Sequence, residues 1–415
     1  MTSGPTVPDD LRNRVSAAID AKRDELIAVS HDIHSHPELN YLEHHSAAAM
    51  ADSLEANGFD VERGVGGVET AFSATIDGNG DGPTVALLAE YDALPGIGHG
   101  CGHNLIAISN LGAGFGARAA MGELPGKLVV LGTPAEEGGG GKIRMMEAGV
   151  FDGIDISLSS HPSSHLTVFR NDVPTDQSFS LAMVGFRYIF RGQSAHAAAR
   201  PEAGVNALNG VIHLFTGIDA MRQHLRSDTR IHGVITDGGD APNVVPDFAA
   251  ANFMHRARDR DYLRDEIVPK VQAIAEGAAT MTGTELTIED FYPFYENVIP
   301  NNTLSAAVMG HAEAAGIRID TPTGAGGSGA STDFGNVSQA MPSYAMSFAV
   351  SETPVPGHSP AMTAAAITDL AHENALITAK ALALTTCDLL SDPALVAQAR
   401  EEFDARVAAM NSSDS

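Results

Sequence analysis

Apolar positions recur at helical spacing from Asp9 to Ser35, where Leu11, Val15, Ile19, Leu26 and Ile33 share a face, and Pro37 predicts the stop. A second helix is expected from Leu42 to Ala56, ending at Asn57-Gly58 in a left-handed cap. Short apolar runs then alternate with helical stretches. Thr84–Leu88 precedes a glycine-rich loop and a helix over Asn104–Met121. Lys127–Leu131 precedes a loop and a helix at Lys142–Ala148, and Ile154–Leu158 ends in Ser159-Ser160-His161-Pro162. Strands alternating with helices in this way predict βαβ units and a mostly parallel sheet.

Near Ser178 the pattern changes. Ser178–Arg191 alternates like a half-exposed strand, followed by a helix (Gly204–Leu225), a strand (Arg230–Thr236), a strand (Phe248–Arg256), a helix (Asp261–Thr282) and a strand (Glu285–Asp290). Strand-helix-strand-strand-helix-strand is the ferredoxin-like α+β order. An inserted domain over 178–292 is therefore expected, dividing an α/β domain made of 1–177 and 293–415. The remainder reads as a helix (Asn302–Gly316), a glycine-rich turn (Gly324–Ser331), a strand (Tyr344–Val350), helices from Ala361 and a polar end, Asn411–Ser415.

Composition narrows the function classes. The 415 residues carry 25 Lys+Arg against 52 Asp+Glu, a net charge of −27. That balance lacks the basic footprint of a nucleic-acid or anionic-membrane binder. The acidic residues are spread along the chain, as on a solvated surface. No apolar run is long enough for a membrane span, and the N-terminus does not read as a secretory signal. Two cysteines, Cys101 and Cys387, make no disulfide framework, so a cytoplasmic location is expected.

Four segments place metal-competent or acid-base side chains just past predicted strands. These are Glu90–Pro95 continuing through His99-Gly100-Cys101-Gly102-His103-Asn104, Thr133-Pro134-Ala135-Glu136-Glu137, Ser160-His161-Pro162, and Pro356-Gly357-His358. In an open α/β sheet, ligands bind in the crevice beyond such strand ends. Cys, His and Glu together suit zinc or a neighbouring divalent transition metal. Adjacent Glu136 and Glu137 allow one carboxylate to bind metal and the other to act as base. Each residue also has a plainer reading: Cys101 as a small buried hydrophobe, Glu136-Glu137 as a solvated pair, His161 and His358 as strand-end and loop residues. His34, His36, His44 and His45 read as helix-face residues.

Other motifs fail on position. Gly112-Ala113-Gly114-Phe115-Gly116 lies inside a helical pattern, where packing rather than dinucleotide binding explains the glycines. Gly138–Gly141 is followed by Lys142, yet Ile143 stands where a phosphate loop needs Ser or Thr. Around Ser328, Ala330 occupies the last position of a nucleophile elbow. Cys101 and His103 are badly spaced for a thiol and its base.

DALPGIGHGCGHN (Asp92–Asn104), TPAEEGGGG (Thr133–Gly141), Ser160–Pro162, GQSAHAAARPEAGVNAL (Gly192–Leu208), IHGVITDGGDAPNVVPD (Ile231–Asp247) and STDFGNVS (Ser331–Ser338) resemble the aminoacylase/carboxypeptidase amidohydrolases of metallopeptidase family twenty. The likeness is to the branch holding p-aminobenzoyl-glutamate hydrolase and dipeptidase-like amidohydrolases. It spans about residues 25 to 380, with the motifs in order. The resemblance implies a di-zinc exopeptidase-like catalytic domain interrupted by a lid that also serves dimerisation. It implies Cys101, His103, Glu137, His161 and His358 as metal ligands. It implies Glu136 as general base, Asp92 as the carboxylate that orients a ligand, His196 as the lid donor to the oxyanion in the partner subunit's site, and Asn243 as the lid residue on substrate. Asn104 departs from the aspartate of many relatives. The Ser-Pro-Ala-Met after His358 and Ser343-Tyr344-Ala345 depart as well.

The resulting expectation is hydrolysis of an N-acyl amino acid or small dipeptide-like amide by a homodimer, or a higher homo-oligomer, with two divalent ions per subunit. Zinc is the first choice of metal, with manganese or cobalt as alternatives. Arg187, Arg191, Arg200 and Arg256 on the lid are candidate partners for a substrate carboxylate, or else surface charge. Two other readings stand beside it: a non-catalytic metal-binding scaffold, and a metal-independent cysteine hydrolase.

Overall fold

The computed structural model describes residues 7–169, 178, 180–320 and 329–412. The chain divides into two compact units: Met1–Gln177, Ile299–Gly326 and Asn336–Ser415 in the first, Ser178–Val298 and Gly327–Gly335 in the second. The glycine-rich turn expected at Gly324–Ser331, with the Ser328 motif, lies mostly outside the described residues, as do 1–6.

The elements run α1 (Asp9–Asp20), α2 (Arg23–Ser35), α3 (His44–Ala56), β1 (Asp60–Arg63), β2 (Phe72–Asp77), β3 (Thr84–Ala89), α4 (His103–Arg118), β4 (Lys127–Gly132), α5 (Gly141–Glu147) and β5 (Ile156–Ser163). Then come β6 (Ala182–Arg191), α6 (Ala207–Met221), β7 (Arg230–Asp237), β8 (Phe248–Ala257), α7 (Val268–Thr282) and β9 (Glu285–Tyr295). The chain closes with α8 (Asn302–Ala314), α9 (Phe334–Ala340), β10 (Ser343–Ala349), α10 (Pro360–Ala365), α11 (Asp369–Ser391) and α12 (Pro393–Ser412).

In the first unit the sheet order is β1-β2-β4-β3-β5-β10. The pairs β4/β3, β3/β5 and β5/β10 are parallel, while β1 and β2 extend the edge antiparallel. The strands β3, β4 and β5 are buried along most of their length because helices cover both faces of a parallel sheet. Helix α4 is buried from His103 to Ala117. Its glycines are packing positions: a Cβ at Gly116 would meet Ile19 Cδ1 at 2.7 Å and Ala383 Cβ at 2.9 Å, so α1 and α11 approach closely there.

Some expected boundaries move. The Asp9–Ser35 helix is two helices, because Lys22 leaves helical ψ (φ −104°, ψ 5°) between them. The strand expected to end at Leu158 continues to Ser163, held by parallel pairing of Ser157–Ser163 with Ser343–Ala349. His161 therefore sits within a strand rather than past its end.

In the second unit four antiparallel strands lie in the order β7-β8-β6-β9, with α6 and α7 packed on a core that includes Phe190, Val211, Leu214, Phe253 and Val271. That is the ferredoxin-like arrangement. The last strand continues to Tyr295, five residues past its expected end. No described helix is long and apolar enough to cross a membrane.

Candidate metal centre

One edge of the parallel sheet gathers the chemistry. The chain leaves β3 through Glu90 and Asp92, then turns at Cys101 and Gly102 (φ 78°) into α4, whose first residue is His103. From β4 it passes through Pro134-Ala135 to Glu136 and Glu137, β5 carries His161, and the loop before α10 carries His358. Left-handed backbone suits glycine, yet Tyr41 (φ 62°), Ala135 (φ 60°) and His358 (φ 52°) all adopt it. Each of the three belongs to this site or to the segments bracing it, and strained backbone of this kind clusters where function fixes geometry.

The side chains converge. Cys101 Sγ lies 3.5 Å from His161 Nε2. His103 Nε2 is 3.7 Å from Glu90 Oε2, 3.8 Å from Glu137 Oε1 and 4.0 Å from Glu136 Oε2. His358 Nε2 is 3.5 Å from Glu137 Oε1. Three overlapping groups, Cys101/His103/His161, Cys101/Glu137/His358 and Glu90/His103/Glu136, each keep their ligand atoms within 4.8 Å of one another. Cys101 is common to two of them. All are buried or half-buried except His358, whose side chain is 56% exposed.

Asp92 organises this cluster. Its Oδ1 is 2.9 Å from His103 Nδ1, and its Oδ2 accepts the Glu137 backbone N–H at 2.9 Å. Burial disfavours charge on either partner of the first pair, yet the facing imidazole holds Asp92 below its ordinary value and Asp92 lifts His103 well above its own. Burial, with the Glu137 carboxylate beside it, pushes the Cys101 thiol far up. Burial also raises Glu137, and burial together with the neighbouring His103 lowers His161, leaving that ring neutral.

These residues fit a metal. His103 Nε2 is fully buried and makes no hydrogen bond, while its other nitrogen is fixed on a carboxylate. A buried imidazole nitrogen left without a partner is costly, and a carboxylate on the far nitrogen is the usual support of a metal-bound histidine. Softer sulfur, two further imidazoles and carboxylate oxygens complete a donor set suited to zinc and its neighbours.

His196 and Asn243 lie in the second unit. His196 pairs with Val244 in an antiparallel bridge, and Ala197 N–H donates to Asn243 O at 3.0 Å, so the two segments stand side by side. His196 Nδ1 accepts the N–H groups of Ala198 and Ala199 at 3.3 and 3.2 Å. Of the four candidate arginines in the second unit, Arg187 faces Asp237 at 3.4 Å, Arg191 covers the Phe248 ring and Arg200 lies 3.9 Å from Glu202. Arg256 donates to Ser331 Oγ at 3.0 Å, with no described carboxylate in ion-pair range. Asn104 is a buried brace, donating to Ser30 Oγ and Ala366 O. His36 and His45 flank Asp32 on the surface.

Around this centre the sequence singled out Glu90 only as the head of a metal-competent segment, and gave no role to Glu43, Tyr41 or Lys142. Glu43 accepts the backbone N–H of Ala135, Tyr41 donates its hydroxyl hydrogen to Gly139 O, and buried Lys142 pairs with buried Glu90 at 2.7 Å. The one available signal was Lys142, one of only five lysines in the chain, directly after the glycine run.

The profile of peptidase family M20/M25/M40 matches residues 86–377. Over 419 residues the chain is 36% identical to the Xaa-Arg dipeptidase of Mus musculus, covering 98% of this chain and 95% of that protein. It is 30% identical over 465 residues to one of the subunits of p-aminobenzoyl-glutamate hydrolase from Escherichia coli K12, covering 94% of each. A Bacillus subtilis crystal structure, described as a dinuclear metal-binding peptidase of the M20 family, superposes with a TM-score of 0.67 at 21% identity, over 89% of this chain and 99% of that one. That last likeness is one of fold.

Proposed function

The chain belongs to peptidase family M20/M25/M40 and is a metal-dependent amide hydrolase, and we propose that it cleaves N-acyl amino acids or dipeptide-like amides at a two-ion centre. The observation that carries this reading is His103, clamped by Asp92 on one nitrogen and presenting the other, buried and without a hydrogen bond, among three glutamates. Cys101, His103 and His161 are the proposed ligands of one ion, and Cys101, Glu137 and His358 those of the other. Bound there, divalent ions lower the pKa of water and polarise the scissile carbonyl. Zinc is the proposed metal on the strength of the thiolate and imidazole donors, with manganese or cobalt as substitutes.

The remaining roles fall to the chain's own groups. Glu136 takes the proton of the attacking water and returns it to the leaving amine. Asp92 keeps His103 in one tautomer and holds the Glu137 backbone in place. His196, from the lid of a partner subunit, donates to the oxyanion, a contribution of about 3–4 kcal/mol. Asn243 contacts substrate. The relatives named for a dipeptide ending in arginine and for p-aminobenzoyl-glutamate share an amide on the amino side of an α-carboxylate. Arg256, without a carboxylate of its own among the described residues, is the lid arginine best suited to receive that group. A cytoplasmic homodimer paired through the lid completes the proposal. The raised thiol of Cys101 argues against a cysteine nucleophile acting without metal.

Glu136→Gln tests the reading. Metal content should be unchanged while turnover on a panel of dipeptides and N-acyl amino acids falls by ~10²–10⁴-fold. Near-parental turnover would remove Glu136 from the role of base.

A further inference from the structure

Beside the five proposed ligands stands a further carboxylate to which nothing above gives a role. Glu90 follows β3 directly and is 3% exposed. Its Oε1 lies 2.7 Å from Lys142 Nζ, itself fully buried. Its Oε2 makes no hydrogen bond and lies 3.7 Å from His103 Nε2, which makes none either. Both residues place a ligand atom within 4.8 Å of a Glu136 oxygen. Two buried polar atoms without partners, facing each other across a gap too long for a hydrogen bond, leave room for something between them that both can bind.

The lysine side of this arrangement is rigid. Lys142 is the second residue of α5, and a Cβ on Gly141 would sit 1.8 Å from Pro134 O. The helix start is thus pressed onto the same Pro134–Glu137 turn that carries the glutamates. A buried ammonium paired with one carboxylate oxygen fixes that carboxylate's rotation, so the second oxygen keeps its direction.

The geometry points to Glu90 Oε2 as a sixth protein ligand of the metal centre, on the His103 side, with Lys142 as its positioning residue. This rests on the proposed reading of the site as a metal centre and adds a ligand to it.

Zinc affinity, read by competition with a chromophoric chelator on the full-length apoprotein, tests this, together with the visible spectrum of the cobalt-loaded protein. Glu90→Gln is nearly isosteric. Its amide oxygen accepts from Lys142, which turns a non-ligating NH₂ toward His103. One of two ions should then bind ~10–100-fold more weakly, the other should be unchanged, and the cobalt spectrum should shift. Lys142→Met should move the same ion's affinity in the same direction with the same kind of spectral shift, and Lys142→Arg should restore both. Melting temperatures of the apoproteins identify any variant that has not folded, and Glu90→Asp, which keeps the charge but withdraws the oxygen, then gives the same reading. Two ions bound with parental affinity and spectrum in Glu90→Gln overturn the assignment and leave the metal centre standing. Tighter binding in Lys142→Met makes the lysine a repelling charge rather than a positioning residue and overturns its part. A parental protein that binds no zinc overturns the metal centre itself, and with it this inference.

Discussion

The carboxylate of Glu43 accepts the backbone N–H of Ala135 at 2.9 Å, across 92 residues of sequence. The same oxygen, Oε1, accepts the N–H of Tyr41 at 3.0 Å, and Oε2 accepts the Thr70 hydroxyl at 2.9 Å. Tyr41 and Ala135 both stand in left-handed backbone, so one buried carboxylate pins two strained residues, and the second directly precedes Glu136 and Glu137. Tyr41 also reaches Gly139, with the Arg144 guanidinium 4.3 Å over its ring.

Glu43→Gln should therefore loosen the turn that carries Glu136. An amide offers one acceptor oxygen where the carboxylate serves three donors. Turnover should drop by ~10–100-fold, since small misplacements of catalytic groups cost that much. The stability signature is separate. Burial, with Asp92 adding, pushes the Glu43 carboxyl up to about 7. A carboxyl raised on folding stabilises fully below its unfolded value and loses that contribution as pH climbs through its folded one. The stability gap between parent and variant should narrow between about pH 4.5 and about pH 7, by up to about 1.4 kcal/mol per pH unit, in urea titrations. A gap that widens over this range contradicts the assignment.

Asp92→Asn leaves one acceptor oxygen where the carboxylate serves both the His103 ring and the Glu137 backbone N–H. Metal affinity should fall ~10–100-fold, as it does when the carboxylate behind a metal-bound histidine is lost. Equilibrium dialysis against zinc measures it, and unchanged affinity would mean that His103 needs no orientation.

Metal loading should release protons. Without an ion, Asp92 holds His103 up, and burial raises the Cys101 thiol and the Glu137 carboxyl. Each must be deprotonated to serve as a ligand, so affinity should rise with pH from about 6 to about 8 and at least one proton should leave near pH ~7. Titration calorimetry in buffers of different ionisation enthalpy counts them. An enthalpy independent of buffer contradicts this picture.

Far from the centre, His311 Nε2 lies 2.6 Å from Asp388 Oδ2 in the core, and Asp388 Oδ1 accepts the Val7 N–H at 3.1 Å. This pairing joins α8 and α11 to the chain ahead of α1. Asp388→Ala leaves an imidazole and a backbone N–H without their acceptor, which should cost about 3–5 kcal/mol by denaturant unfolding with little change in metal affinity.

Much of this was legible in the sequence because it is local. CGH and EE bring their chemistry within three residues, and apolar runs mark the strands that deliver them. The element order of the second unit was readable because its strands alternate and its helices are amphipathic. What could not be read depends on pairing across distance. The Glu43 brace and the Glu90–Lys142 pair join segments that only the fold brings together. The extent of β5 had the same cause: Ser159, Ser160 and His161 are polar and look like a strand end, yet pairing with β10 carries the strand through them. The two-helix start was hidden because Lys22 breaks the helix without glycine or proline.

The central claim is that Cys101, His103 and His161 share one divalent ion. Anomalous scattering at the zinc edge, from crystals of the zinc-loaded protein, tests it most directly. The predicted result is a peak about 2.3 Å from Cys101 Sγ and about 2.0–2.1 Å from the Nε2 atoms of His103 and His161. Fully loaded crystals whose zinc peaks lie away from these three atoms would contradict it.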